Sequence, residues 1–421
     1  MVKQDRSCSY GPNNDGRPLR VLTFTSLFPN AQFPGHALFV RERILALSRY
    51  CELKVMAPVP LTLPLRWLGE RYYRFSKIMS LERQSGLDVT HPRFFVFPKF
   101  CKILDGLLMA LSVLWPLKTL KGKFSFDVID AHWAYPDGVA AAILSKFLGV
   151  PFVVTVRGDD INVFARHFSR RMPLTWALQS ADLVLAVSRE LKVAVESLGV
   201  DPQAILVSSN GVDAERFYFV EQSEARRNLG LPQEGKILLS VGRVHLSKGH
   251  HILVEALGLL NGSFLGTKLF IIGAVDHESD GRQAIQSAIT QFKLDDRVQI
   301  VGHQDPTTLR DWYNAADLFC FATEREGSAN VLLEAQACGL PCLATPVGGN
   351  PEIINDPTVG MLLSGNSKAF AEGIFAALSQ SWDRQKISTK GRKRTWDTVG
   401  KECVGFLNRA IYGDKFSQSV P

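Results

Sequence analysis

The chain has 421 residues, of which 46% are hydrophobic, and it carries a formal net charge of +7. This length accommodates two ordinary domains with separate cores and argues against a single domain. The positive charge favours anionic partners such as nucleotides or anionic lipid. No RNA- or DNA-binding motif accompanies that charge, so we expect no nucleic acid partner.

The cysteines and the first residues of the chain both bear on its compartment. Seven cysteines are scattered along the sequence, several of them inside apolar runs, which is typical of reduced, buried thiols in a cytosolic protein. Cys338 and Cys342 lack two further ligands at a recognisable spacing, so we predict no zinc site. Residues 1–18 are polar and contain no apolar signal-peptide core. We therefore expect a cytoplasmic protein.

The first half of the chain alternates strands with helices, as doubly wound α/β domains do. The predicted strands lie at residues 20–26, 126–132, 153–159, 181–188 and 204–207. A helix is predicted at about residues 36–50, directly after a loop that contains Gly35. That glycine could let the backbone approach a ligand at the helix start, although an ordinary turn explains it equally well.

Residues 61–123 depart from this alternation. Basic side chains are interleaved with aromatic ones at Arg66, Trp67, Arg71, Tyr72, Tyr73, Arg74, Phe75 and Lys77. The uncharged run at residues 106–117 is far shorter than the roughly 20 apolar residues that a spanning helix needs. Two interpretations remain open for this run: a helix packed on the sheet, or a helix face in peripheral contact with an anionic membrane.

Polar side chains follow two successive strands of the first half. His132 lies near the end of one predicted strand, and Arg157 and Asp159 lie at the end of the next. The carboxyl ends of parallel strands meet at one edge of a sheet, where open α/β sheets bind their ligands. A lone histidine is more often a packed residue than a catalytic one. At this edge, however, the three side chains predict a polar floor for a ligand.

A turn-rich segment at residues 210–213 marks the predicted domain boundary. We place a first domain at residues 1–212, a second at 213–395 and a carboxyl-terminal helix at 396–421. Strands at residues 236–242, 268–273 and 297–302 restart the alternation. The loop after the first of them carries Arg243 and Lys248, which can direct a guanidinium fork and a mobile ammonium at one diphosphate.

The most informative stretch is residues 317–341, which join a strand, a turn and a helix. A strand is predicted at 317–321 and a helix at 331–338. If Glu326 and Glu334 were both helical, they would lie about 12 Å apart along the axis, so we place Glu326 in the turn. Two separated carboxylates suit a polyhydroxylated ligand whose phosphate is held at the helix start, although solvated helix charges are the alternative interpretation.

This stretch carries a resemblance to a known family. Glu326-x7-Glu334, the following Ala335-x-Ala-Cys-Gly-x-Pro341 and Gly348-Gly349-x-Pro-Glu352 are similar to retaining GT-B glycosyltransferases of family four. The resemblance implies two doubly wound parallel-sheet, Rossmann-like α/β domains facing each other across a cleft. It also implies transfer of a sugar from a nucleoside-diphosphate sugar to a glycan or lipid-linked acceptor, in cell-surface polysaccharide biosynthesis, without a metal or other cofactor.

The resemblance further implies roles for single residues. Its catalytic residues would be His132, Arg243, Lys248 and Glu326, with His132 contacting the donor sugar. Its donor-binding residues would be Gly35, Arg157, Arg243, Lys248, Gly302, His303, Glu326, Ser328, Ala329, Asn330 and Glu334. Gly302 and His303 would frame the nucleotide base, and the helix at 396–412 would cross back to the first domain.

The sequence departs from the common family pattern at Ser328-Ala329-Asn330, where an aromatic–glycine stretch is more usual, so the sugar preference is not implied. Since no residue is an obvious nucleophile, the resemblance favours front-face attack with retention. Two other hypotheses stay open: a sugar-nucleotide epimerase of the same fold, and a non-catalytic donor-binding partner of an active enzyme. Transfer to an acceptor, formation of a free epimer, or tight donor binding without turnover would distinguish the three hypotheses.

Overall fold

The computed structural model describes residues 17–62, 69–97, 101–260, 264–275 and 280–413. The chain divides into two compact units, one formed by Met1–Asn210 with Trp396–Pro421 and the other by Gly211–Thr395. Each unit is an α/β domain built on its own mainly parallel sheet, as the sequence predicts. The residues from Trp396 onward belong to the first unit.

The first unit contains an eight-stranded sheet. Its strands are β1 Arg20–Phe24, β2 Glu52–Met56, β4 Leu81–Gln84, β5 Leu87–Thr90, β7 Val128–His132, β8 Phe152–Val156, β9 Leu183–Ala186 and β10 Ile205–Val207. Their order is β10-β9-β8-β7-β1-β2-β5-β4, and all neighbours are parallel except β4 and β5. A separate parallel pair is formed by β3 Val59–Pro60 and β6 Arg93–Phe94. Strands β7, β8 and β9 are buried throughout, as expected for a parallel sheet covered on both faces.

Eight helices surround this sheet within the described residues. They are α1 Leu38–Leu47, α2 Glu70–Ser76, α3 Asp105–Lys123, α4 Val139–Leu148, α5 Asp159–Asn162, α6 Phe168–Ser180, α7 Arg189–Glu196 and α16 Trp396–Tyr412. Helix α1 is shorter than predicted at both ends. Helix α16 packs against α1 and helps to cover one face of the sheet in the first unit.

Helix α3 is longer than the sequence analysis allowed. With the 3-10 turn Lys102–Leu104 it forms a helical stretch of 22 residues, Lys102–Lys123, with a mean hydropathy of 1.5 in its most apolar window. Among the described residues it is the one helix that is long and apolar enough to cross a membrane by length and composition. The prediction that it is too short was therefore wrong, because it counted only the uncharged residues. One face of the helix lies in the core of the first unit.

Part of the basic–aromatic segment lies outside the described residues, including Arg66 and Trp67. In the remainder, three cations lie over aromatic rings of the first unit. Arg71 lies over Phe75, Arg74 lies 4.3 Å from the ring centroid of Phe33, and Lys77 lies over Tyr73. This packing holds the segment against its own unit.

The second unit contains a six-stranded, fully parallel sheet. Its strands are β11 Ile237–Val241, β12 Lys268–Ile272, β13 Val298–Gly302, β14 Leu318–Phe321, β15 Cys342–Ala344 and β16 Gly360–Leu362, in the order β13-β12-β11-β14-β15-β16. Its helices are α8 Gln222–Asn228, α9 His250–Leu259, α10 Asp280–Phe292, α11 Pro306–Ala315, α12 Asn330–Ala337, α13 Asn350–Ile353, α14 Ser367–Leu378 and α15 Arg384–Gly391. Two apolar clusters, one on each face, form its core.

The described cysteines are free thiols. Cys51, Cys320, Cys338, Cys342 and Cys403 are buried, and Cys101 is exposed. Burial raises the pKa of the Cys338 and Cys320 thiols, so both stay protonated at neutral pH. Cys8 lies outside the described residues.

The contact between α1 and α16 yields a test of the fold. A Cβ atom at Gly400 in α16 would lie 2.7 Å from backbone atoms of Ala46 in α1, so Gly400→Ala must push the two helices apart. We expect the free energy of unfolding of the first unit to fall by about 1–3 kcal/mol in a denaturant titration.

Gly405 supplies the matched control on the same helix. It is exposed, and a Cβ atom there would meet nothing within 4 Å. Gly405→Ala should leave the stability unchanged or raise it by up to about 1 kcal/mol, because alanine is the better helix former. Equal unfolding midpoints for the two variants would contradict the close helix packing.

Candidate functional site

In the second unit, the loops that follow β11 and β14 lie side by side, since these two strands are parallel neighbours. The backbone N–H of Glu324 donates to the carbonyl of Ser247 at 2.9 Å, and the hydroxyl of Thr323 donates to the same carbonyl at 3.1 Å. The loop that carries Lys248 is thus bonded directly to the turn that carries Glu326. Two motifs far apart in sequence meet at one point of the sheet edge.

Lys248 and Glu326 form an ion pair at that point, with the Lys248 Nζ 2.6 Å from Glu326 Oε2. Each side chain is 20% exposed, so both remain accessible to a ligand. The structure confirms that Glu326 lies in the turn, because helix α12 begins only at Asn330. Arg243 lies in the same loop as Lys248 and is exposed to solvent.

Two glycines make the close approach of these segments sterically allowed. Gly249 has a φ of +66°, and a Cβ atom there would lie 2.0 Å from the carbonyl oxygen of Ala322. Gly348, from the second motif, has a φ of +58°, and a Cβ atom there would lie 2.2 Å from the carbonyl oxygen of Glu326. Only glycine fits either position without moving the turn. The Gly348-Gly349 pair therefore supports the turn that presents Glu326.

His250 stabilises the loop that carries Arg243 and Lys248. No role was predicted for it from the sequence. Its ring is buried between the hydroxyl of Ser240, 3.0 Å from Nδ1, and the carbonyl of Arg243, 3.3 Å from Nε2. Burial lowers its pKa to about 4, so the ring is neutral and acts as a fixed hydrogen-bonding group. Its place at the first position of α9 is the only hint that the sequence offers.

Glu334 projects from α12 and is oriented by Tyr313. The Tyr313 hydroxyl donates to Glu334 Oε2 at 2.9 Å, and Tyr313 itself is fully buried. Burial raises the pKa of Glu334 to about 7, although the hydrogen bond from Tyr313 opposes the shift. A carboxyl held in this way carries an electrostatic cost above neutral pH, which a bound ligand that donates hydrogen bonds would relieve. No sequence pattern indicated Tyr313.

The other predicted donor-binding residues of the second unit lie along the same edge. Ala329 occupies the N-cap position of α12 and is buried, whereas Ser328 and Asn330 are partly exposed beside it. The unpaired N–H groups of a helix start favour an anion. Gly302 ends β13 with a φ of +89°, and the next residue, His303, is exposed.

In the first unit, the predicted polar floor is a buried network. An arginine only donates, so the 2.9 Å contact from Arg157 Nη2 makes His132 Nδ1 the acceptor. The other ring nitrogen lies 3.2 Å from Asp130 Oδ2. His132 is 0% exposed, and burial lowers its pKa. Both ring nitrogens thus face protein groups, and the contact of His132 with a donor sugar stays a prediction.

Arg157 lies inside the same network. Besides His132, it donates to the side-chain oxygen of Asn210 at 3.2 Å, and burial together with the nearby Arg43 lowers its pKa to about 9. Arg43 donates to the hydroxyl of Ser208 at 2.9 Å. The sequence contained one signal for this network: Asp130 and His132 are two residues apart in a strand and therefore share a face.

The remaining predicted residues of the first unit lie outside this network. Asp159 is exposed at the start of α5, while its neighbour Asp160 is buried and accepts from the backbone N–H groups of Ala134 and Gly158. Gly35 is exposed without a positive φ, and a Cβ atom there would meet nothing within 4 Å. The loop that holds Gly35 thus borders open space.

Comparison with known proteins decides the family. The model described as "Glycosyl transferases group 1" matches residues 221–394, and that described as "Glycosyltransferase Family 4" matches residues 65–216. A relative from Bacillus subtilis (strain 168), the "Putative teichuronic acid biosynthesis glycosyltransferase TuaC", is 30% identical over 85% of this chain and 88% of its own length. The chain belongs to this glycosyltransferase family.

Other relatives are more distant. The N-acetyl-alpha-D-glucosaminyl L-malate synthase of Bacillus anthracis is 26% identical over 69% of this chain and 75% of its own length. Among solved structures, a sucrose-phosphate synthase from Thermosynechococcus elongatus has a TM-score of 0.73 at 20% identity, covering 94% of this chain and 99% of the other. Anabaena HepE in complex with UDP has a TM-score of 0.70 at 20% identity, covering 93% of this chain and 100% of the other. These glycosyltransferases share the GT-B fold, so the predicted family and fold are confirmed.

The raised pKa of Glu334 predicts how stability depends on pH. The pKa is about 7 in the folded chain and 4.5 without the protein environment, so between these values the folded state binds more protons than the unfolded state. Stability therefore falls as pH rises through this window. We expect Glu334→Gln to gain stability relative to wild type, on the order of 1 kcal/mol or more, between about pH 5 and pH 8.

The comparison is made by denaturant unfolding at several pH values. Glu372→Gln is the control, because Glu372 is an exposed carboxylate on α14 of the same unit. A stability difference between wild type and Glu334→Gln that does not change with pH would show that Glu334 carries no such electrostatic cost.

Proposed function

We propose that this glycosyltransferase transfers a sugar from a nucleoside-diphosphate sugar to a glycan or lipid-linked acceptor with retention of anomeric configuration. The observation that carries the proposal is the contact between Lys248 and Glu326. It joins a cation suited to phosphate with a carboxylate suited to sugar hydroxyls at the ligand-binding edge of a parallel sheet.

The diphosphate would bind where the second unit presents positive charge. Lys248 and Arg243 lie in one loop, and the start of α12 adds backbone N–H groups to that edge. A phosphate would take over the ammonium of Lys248 and release Glu326 for the sugar hydroxyls. These groups stabilise the negative charge that grows on the departing nucleoside diphosphate. We therefore propose a reaction that needs no metal.

The ribose would bind to Glu334 and the base near Gly302 and His303. Glu334 is held by Tyr313, so one carboxylate oxygen is fixed while the other can accept from ribose hydroxyls. HepE was solved with UDP and with UDP-glucose, which supports a nucleotide donor for a chain of the same fold.

The bond changes of the proposed step balance without a protein nucleophile. The bond between the anomeric carbon and the diphosphate oxygen breaks, and the acceptor oxygen attacks the anomeric carbon from the same face. The acceptor proton passes to the departing phosphate oxygen. For the first unit, we propose that His132 is a positioning residue that acts through the Asp130–His132–Arg157 network.

We also propose an acceptor class and a compartment for this reaction. TuaC is named for teichuronic acid biosynthesis, which supports a role for this chain in cell-surface polysaccharide biosynthesis. Nucleotide sugars are made in the cytoplasm, so we propose that the reaction takes place there.

The direct test is to screen radiolabelled nucleotide sugars for slow hydrolysis and then for transfer to glycan and lipid-linked acceptors. If no nucleotide sugar is hydrolysed or transferred, the proposal fails.

Arg243→Ala tests the binding of the departing diphosphate. Because the guanidinium would stabilise charge that grows in the transition state, we expect turnover to fall by about two orders of magnitude or more. Lys268→Ala is the matched control, since Lys268 is an exposed cation at the amino end of β12, away from the ligand-binding edge. Near-wild-type turnover of Arg243→Ala would remove this residue from the mechanism.

The two glutamates should fail in different ways. We expect Glu334→Gln to weaken the binding of free nucleoside diphosphate, because it alters the ribose contact. Glu326→Gln should retain that binding and mainly impair transfer, because Glu326 would hold the sugar. Calorimetric titration of both variants with the nucleotide, followed by transfer assays, separates the two effects. Equal losses of nucleotide affinity would contradict the assignment.

A further inference from the structure

Three helices of the first unit pack side by side and form one layer. Helix α3 packs against α4, α4 packs against α6, and the 3-10 turn Lys102–Leu104 packs against α6. Two cation–π contacts connect side chains of neighbouring helices in this layer. Lys118 of α3 lies 4.6 Å from the ring centroid of Phe147, and Lys146 lies 4.9 Å from the ring centroid of Trp176 in α6.

Helix α3 has an apolar face on each side. The inner face is buried in the core of the first unit through Met109, Ala110, Val113 and Leu117. The outer face carries an exposed stripe with helical spacing, formed by Leu104, Leu107, Leu111 and Trp115. Trp115 is 78% exposed and Leu111 is 59% exposed. A water-facing stripe of this kind on a packed helix indicates a binding surface.

The neighbouring segments extend this stripe. Helix α6 exposes Phe168, Met172 and Trp176 at intervals of four residues, and Phe168 is 77% exposed. Phe147 is exposed at the end of α4. Phe95 is exposed next to α3, where its backbone N–H bonds to the hydroxyl of Ser112. Large aromatic and aliphatic side chains thus lie on all three helices of the layer.

The charges of this layer are almost all positive. Residues 102–123, 139–148 and 164–180 contain one carboxylate, Asp105, which is buried and bonded to Lys102 at 3.2 Å. The same residues contain eight cations: Lys102, Lys118, Lys121, Lys123, Lys146, Arg166, Arg170 and Arg171. A surface that combines aromatic side chains with cations and exposes no carboxylate is complementary to an anionic lipid headgroup layer.

We propose that the outer faces of α3, α4 and α6 form a docking surface for an anionic phospholipid bilayer. Trp115, Leu111 and Phe168 would enter the headgroup region, while the surrounding cations bind lipid phosphates. The inner face of α3 belongs to the folded core, and Gly106 lies so close to Val139 that a Cβ atom would clash at 2.5 Å. The helix therefore lies on the membrane surface and does not cross it. This inference does not depend on the proposed sugar transfer.

The docking surface includes residues 106–117, for which a membrane-facing helix was one of the two predicted interpretations, but it does not include the basic–aromatic segment at residues 66–77. In that segment, the described cations Arg71, Arg74 and Lys77 lie over rings of their own unit, and those rings are only partly exposed. On the α3–α4–α6 layer, by contrast, the aromatic residues themselves are exposed. Apolar insertion and charge attraction are thus combined on one surface, because anionic lipid attracts the cations that surround the aromatic side chains.

The test is co-sedimentation of the full chain with vesicles of phosphatidylcholine, with and without phosphatidylglycerol. We expect the wild type to bind only the vesicles that contain phosphatidylglycerol, and to be released when NaCl is raised from about 0.05 M to about 0.5 M. The double variant Leu111→Ser with Trp115→Ser should bind at least about tenfold more weakly, because two inserted apolar groups are lost without a change of charge.

Val193→Ser is the matched control, because Val193 is 63% exposed on α7 of the same unit, outside the layer. It should bind vesicles like the wild type. Phe168→Ser on α6 supplies an independent variant if the double variant unfolds, as judged by circular dichroism. Hydrolysis of a soluble donor by the double variant should stay unchanged, which separates this inference from the proposed reaction.

Five results would overturn the inference. The wild type could stay in the supernatant with both vesicle types, or bind both types equally. The double variant could bind as tightly as Val193→Ser. The bound wild type could resist high salt and require detergent, as a spanning helix would. Finally, the wild type could be a dimer that the double variant dissociates, which would show that a second copy covers this surface.

Discussion

The candidate site depends on the parallel pairing of β11 with β14. Parallel neighbours send their carboxyl ends to one edge, so the loops at residues 242–249 and 322–329 must run side by side. The contact of Lys248 with Glu326 follows from this constraint and not from proximity in the chain. Gly249 and Gly348 are then required, because a side chain at either position would collide with the backbone that brings the two motifs together.

Local sequence patterns predicted the elements that depend on local physics. Buried parallel strands such as β8 and β11 are mainly apolar, with the sequences FVVTV and ILLSV, and the placement of Glu326 in a turn followed from helix geometry alone. Strands β2, β4 and β5 were missed, and the antiparallel edge strand β4, with the sequence LERQ, has no apolar run to reveal it. The family resemblance supplied the candidate residues; the structure supplied their partners.

Those partners could not be predicted because they come from distant parts of the chain. Tyr313 in α11 bonds to Glu334 in α12, and Asn210, which lies after the end of β10, bonds to Arg157. The strand end predicted that His132 belongs to a polar floor, but not that its ring lies within a buried network with Asp130 and Arg157. Whether a side chain is buried depends on the elements that pack around it in the folded protein. The sequence of its own segment therefore does not predict it.

Burial by surrounding elements also decides the role of the positively charged residues in this chain. Two arginines of the first unit, Arg43 in α1 and Arg157 directly after β8, are buried and bonded within the protein. The cations on α3, α4 and α6 surround exposed aromatic residues. The net charge of +7 therefore does not describe one basic surface. Basic residues contribute to a buried network, to a candidate phosphate site and to a candidate lipid surface. Each of these roles requires its own test.

The central claim is that the diphosphate of a nucleotide donor binds at the junction of Lys248 and Glu326. A crystal structure with a bound nucleoside diphosphate tests it most directly. The account predicts a phosphate oxygen about 3 Å from the Lys248 ammonium, Glu326 released from that ammonium, and ribose hydroxyls at Glu334. A nucleotide bound at the sheet edge of the first unit, or one that leaves the Lys248–Glu326 pair intact, would contradict it.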